Sequence, residues 1–116
     1  MKYAILIYSS ESYWDSLGEA QREAVIADHG KMQEQMRADG AFVCGHRLMD
    51  TPTASTVVHR QGASEIIDGP FAETKEQLGG FYLVECEHLD QAIGYARILS
   101  SETASIEVRP VMFSVD

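Results

Sequence analysis

The sequence predicts an α+β fold, and three observations predict it. Two segments carry a helical spacing of apolar residues. Several short runs are rich in β-forming residues. Turn residues separate most of those runs, and the helical segments do not alternate regularly with them. With 116 residues, 45% apolar and 23% charged, the chain has the length and composition of one domain spanning 1–116. Such a chain buries roughly two-thirds of its surface and needs no staples.

The elements follow in order. Residues 3–8, YAILIY, are apolar throughout, as in a strand covered on both faces. SSESYWDS (9–16) reads as a polar loop with two aromatics. Ser16 and Glu19 have the spacing of a capping box, which starts a helix running to Asp39. Val25, His29, Met32 and Met36 share one face of it. Gly40 offers a left-handed cap at its end.

AFVCGHRL (41–48) is a second strand, MDTPTA a turn and STVVHR (55–60) a third strand. Gln61-Gly62 turns the third strand into SEIID (64–68), a short hairpin extension. Residues 69–79 form a loop, and FYLVEC (81–86) is the fourth long strand. LDQAIGYARIL (89–99) is a helix with Leu89, Ala92, Ile93 and Ala96 on one face, and SIEVRPVMF (105–113) is the last strand.

This order is that of a ferredoxin-like βαββαβ unit with an inserted loop and hairpin. Two helices cover one face of a sheet, yet the runs 3–8 and 81–86 are apolar on both faces. The remaining apolar face calls for a cover. A second copy of the chain supplies one, so the expectation is a homodimer whose sheets curve together as a dimeric α+β barrel.

A formal charge of −9, with the cations scattered, argues against nucleic acid and acidic membrane surfaces as partners. Cys44 and Cys86 are far apart in apolar runs, where free cysteine behaves as a small hydrophobe. The apolar run of MKYAILIY is too short for a signal segment or a membrane span, so a cytoplasmic location is expected. His46, His59 and His88 lack metal-ligand spacing, and no CxxC, HExxH, P-loop or dinucleotide fingerprint occurs. No metal and no cofactor are expected.

Four features could carry chemistry. His29 shares its helix face with apolar residues and should look toward the sheet. It is either a core histidine satisfied by a carbonyl or carboxylate, or a general acid or base. Asp68, before Gly69-Pro70-Phe71, either fastens the turn through an Asx bond or presents a fixed carboxylate beside a Phe71 wall. AETKEQLGG (72–80), with Lys75, is either a solvated run or a loop folded over a partner chain or a bound molecule. On the last strand Glu107 and Arg109 face away from the helices. They form a pair, or Arg109 grips a carboxylate or phosphate.

The run DGPFAETKEQLGGFYLVE (68–85) resembles the signature of the DGPF branch of the YCII-related family. MKYAILIY, the central helix histidine and EVRP extend the likeness over nearly the whole chain. The resemblance implies a ferredoxin-like fold in dimeric α+β barrels, bacterial origin, and genes lying beside extracytoplasmic-function sigma factors. It also implies an active His and Asp lining a cleft; His29 matches the helix histidine, and Asp68 matches the Asp of the DGPF motif. The helix start DSLGEAQ, Met32 and His88 depart from the branch pattern.

Two functions follow as expectations. One is a small-molecule enzyme doing His-assisted elimination, isomerisation or hydrolysis on an anionic organic substrate. In it His29 and Asp68 are catalytic, and Lys75, Arg109, Glu107 and Phe71 bind substrate. The other is a non-catalytic ligand-binding or regulatory module linked to a sigma factor.

Overall fold

The computed structural model describes residues 1–101 and 103–116. The elements are β1 (Lys2–Ser9), α1 (Glu11–Ser16), α2 (Glu19–Ala38), β2 (Phe42–Arg47), a 3-10 turn at Thr51–Thr53, β3 (Ser55–Arg60), β4 (Ala63–Asp68), β5 (Gln77–Glu85), α3 (Leu89–Leu99) and β6 (Ala104–Pro110). Four strands form one antiparallel sheet in the order β2-β5-β1-β6, and β3-β4 form a separate hairpin.

Period two decides which residues reach the core. Tyr3, Ile5, Tyr82 and Val84 point to the helix side and are buried. There they meet Met32 and Met36 of α2 and Ala92 and Tyr95 of α3, with Ile106 and Val108 packed at the margin. Tyr95 fastens the two helices together, donating to Asp39 Oδ2 at 2.6 Å while accepting from Gln91. Burial and the Asp39 bond push its phenol up to about 12.

Both ends of α2 are instructive. Gly40 takes φ +68°, and its amide donates to Arg37 while the Ala41 amide donates to Met36 at 2.8 Å. That is the Schellman pattern expected of this glycine. The start differs from the capping-box expectation at Ser16. Residues 11–16 form α1 rather than a loop, and Ser16 closes it by donating to the Tyr13 carbonyl. Gly18 is the cap of α2, its amide donating to Gln21 Oε1 at 2.9 Å. A short helix thus stands where polar composition suggested coil.

The barrel, and the homodimer expected to close it, give way to one chain with two open sheets. The expectation took β1 and β5 as apolar on both faces. Away from the helices, however, Ala4, Leu6, Phe81 and Leu83 are only half-buried. They are bordered by polar side chains on three strands: Lys2 and Tyr8 of β1, His46 of β2, and Glu107 and Arg109 of β6. STVVHR and its return do not extend the main sheet. They pair only with each other.

The glycine pair at 79–80 serves the sheet itself. Gly79 is the extra residue of a bulge against Ile7 and Tyr8. A Cβ on Gly80 would lie 2.8 Å from the His46 carbonyl oxygen. The close approach made there is to the neighbouring strand.

Candidate functional site

His29 sits one helical turn before Gln33, and both reach the same phenol on β5. His29 Nδ1 and Tyr82 Oη are 2.8 Å apart, and Gln33 Nε2 donates to the same oxygen at 2.8 Å. The rings of His29 and Tyr82 lie 5.9 Å apart, tilted by 32°. Strand β2 makes room for this. Gly45 lies opposite Tyr82 in the ladder, and a Cβ there would come within 2.5 Å of the Tyr82 ring. A glycine at 45 is therefore what lets the ring lie flat against its neighbour strand. Phe42 closes the other side edge-on at 6.5 Å.

The bonding order can be read from the donors. A Gln33 amide nitrogen only donates, so Tyr82 Oη accepts there and has its own proton to give to Nδ1. The neutral imidazole then carries its hydrogen on Nε2. No described residue partners that nitrogen, and no buried side-chain nitrogen or oxygen is left unpaired among the described residues, so Nε2 is open to solvent. Burial lowers the His29 pKa below its usual 6.5. Asp28 opposes the shift and Arg47 adds to it. At neutral pH the ring is uncharged.

Arg47, whose charge reaches His29, belongs to a cluster of two cations and one indole. Arg22 and Arg47 place their guanidinium carbons 5.5 and 5.0 Å from the Trp14 ring centre. Arg22 Nε also donates to the Trp14 carbonyl.

Asp68 lies elsewhere, on an open cleft of about 580 Å³. The cleft is lined by the start of α1 (Ser10 to Ser12), Thr51, Pro52, Asp68 to Pro70, Glu73 to Lys75 and Gln77. The turn is not fastened by the Asp68 carboxylate. Gly69, at φ +101°, donates to the Ala54 carbonyl at 2.7 Å, and its own carbonyl accepts from Thr56 Oγ1 at 2.8 Å. Glu11 is engaged, its two oxygens accepting from the Thr51 amide at 3.1 Å. Among the described residues no side-chain hydrogen bond or ion pair involves Asp68, Glu73 or Lys75, and no three His, Cys, Asp or Glu residues gather as a metal site.

The other two features are placed apart from both regions. Phe71 is 83% exposed and does not line the cleft. Glu107 and Arg109 pair with each other on the face of β6 away from the helices, with Arg109 Nε donating at 2.8 Å and Nη2 donating to the same oxygen. That pairing raises the Arg109 pKa further. The sequence reading therefore named His29 correctly as inward-facing but missed Tyr82, Gln33, Gly45, Arg47 and Trp14. Gln33 carried a signal, at four residues from His29 on one helix face.

The model of the YCII-related domain matches residues 1–113. The chain is 42% identical over 114 residues to "Uncharacterized protein R00369" of Rhizobium meliloti (strain 1021), covering 96% of this chain and 92% of that protein. A match of this extent, with the helix histidine and the Asp68 turn inside it, shows that the chain belongs to the YCII-related family.

Proposed function

We propose that this protein is a small-molecule enzyme in which His29 transfers a proton to an anionic organic substrate during elimination, isomerisation or hydrolysis. One observation carries the reading. Gln33 and Tyr82 hold a neutral imidazole in one tautomer, with its Nε2–H free and solvent-facing. A fixed donor of this kind suits an oxyanion that develops in the reaction. When Nε2 gives up its proton, Nδ1 takes the Tyr82 proton. This avoids an imidazolate and leaves the charge on a phenolate held by Gln33.

In this reading Asp68 and Lys75 belong to the separate cleft and do not orient His29. The run from Asp68 to Phe81 supports membership of the DGPF branch, and the free thiols Cys44 and Cys86 fit a cytoplasmic setting.

The test is turnover of a panel of small anionic lactones, enol acids and halogenated acids, followed by NMR. His29→Ala should lower turnover by about 10²-fold or more while circular dichroism stays unchanged. Full turnover in that variant ends the proposal. So does a wild-type chain inert to the whole panel that co-purifies with a sigma factor regardless of residue 29, which would favour the regulatory reading.

A further inference from the structure

We infer that Arg22, Trp14 and Arg47 form the binding site for a compact organic dianion, such as a dicarboxylate or phosphate monoester, beside His29. The inference rests on the His29 reading only for where the reacting atom lies.

Both guanidinium groups fall within the about 6 Å range of a cation–π contact, and they share a single indole. Two like charges on one ring repel unless an anion lies between or beside them. This chain has eighteen acidic residues and a net charge of −9. Even so, none of the ion pairs among the described residues involves Arg22 or Arg47.

The hydrogen bonds agree. Arg22 uses only Nε, on the Trp14 carbonyl, and among the described residues its two Nη groups have no partner. The Arg47 guanidinium has no hydrogen-bond partner among them either. Planar forks of this kind match carboxylate and phosphate oxygens two at a time. The indole contact holds both forks in place, which reduces the ordering cost of binding. Arg47 is also near enough to bear on the His29 charge. A ligand held by Arg47 therefore lies within electrostatic reach of His29.

The Glu107–Arg109 pair is not comparable, because Arg109 already has its carboxylate. The Asp68 cleft has a single cation, Lys75, among several acids and suits a dianion poorly.

Trp14 is the only tryptophan in the chain, so intrinsic tryptophan fluorescence reports on this site alone. The full chain is titrated with malonate and with inorganic phosphate, against acetate at matched ionic strength. Saturable quenching or enhancement is expected with at least one dianion, and acetate should bind more weakly. Arg47→Gln and Arg22→Gln should each weaken binding about tenfold or more. Either variant suffices if the other fails to fold.

His29→Ala should keep the saturable signal. Binding retained in that variant together with undiminished turnover would sink the histidine reading and leave this site standing. No saturable change with either dianion would overturn the inference. So would equal binding of acetate, or unchanged binding in both folded arginine variants.

Discussion

His29 Nδ1, Gln33 and Tyr82 have defined partners, while along the cleft the Asp68, Glu73 and Lys75 side chains have none among the described residues. The histidine region has short bonds to a buried phenol and a glycine that makes room for the ring. The cleft has about 580 Å³, three carboxylates and a lysine, but its internal bonds run mainly through the backbone and Glu11. Geometry that is already fixed favours chemistry, since a reacting group must be held before the substrate arrives. Open volume with free charges favours binding and tolerates change. Each experiment below perturbs one region and asks whether the other behaves differently.

The largest effect is expected at Gly45. Replacing it by valine drives a side chain into the Tyr82 ring, 2.5 Å from where even a Cβ would stand. Overpacking of this kind costs about 1–3 kcal/mol. The urea midpoint of Gly45→Val should fall accordingly, and the His29–Tyr82 bond should be lost with it. An unchanged midpoint would mean the ring has slack, and the histidine region would be no more fixed than the cleft.

Tyr82→Phe is subtler. It removes one oxygen that serves two partners, so about 1 kcal/mol of stability is expected to go, because both can turn to water. The sharper readout is nitrogen NMR of His29. In the parent chain at pH 7.5, Nδ1 should be unprotonated and Nε2 protonated, and the variant should show exchange between tautomers. A single unchanged tautomer would show that something other than the phenol holds the ring.

How much of this could be read from the sequence depends on range. Gly40 as a cap, the inward face of α2 and the two sides of β6 follow from local periodicity, and they hold. So does the placing of His29 toward the sheet. Which group it would meet was not legible. That depends on β5 pairing with β2 in a register that sets Gly45 against Tyr82, and a register bulge intervenes. Helix α1 was hidden for another reason. Six residues with no buried member carry no periodic signal. The barrel expectation failed because apolar runs were taken as apolar faces, while the polar border comes from three different strands.

A pH series separates the regions by sign. The folded His29 pKa lies below 6.5, chiefly through burial. As pH falls through 6.5 the unfolded chain takes up the proton first, so stability drops. The contribution is whole above 6.5, declines between 6.5 and the folded value, and is level below it. The urea midpoint of the parent minus that of His29→Asn should therefore decrease from pH 7 toward acid. Asp68→Asn should leave the same difference in place. A difference that rises toward acid would reverse the assigned direction and charge the ring in the fold.

The smallest effects belong to the cleft. Asp68→Asn and Lys75→Gln alter groups that make no side-chain bond among the described residues, on a turn that Ala54, Thr56 and Gly69 hold through other atoms. Each should change stability by less than about 0.5 kcal/mol. Both should also leave the His29 nitrogen spectrum untouched, because neither residue reaches that ring. If Asp68→Asn costs as much as Tyr82→Phe, its carboxylate is supporting the turn after all. If it shifts the His29 resonances, the two regions are coupled, and a histidine–aspartate pair acting across α1 would replace the separation argued from the geometry.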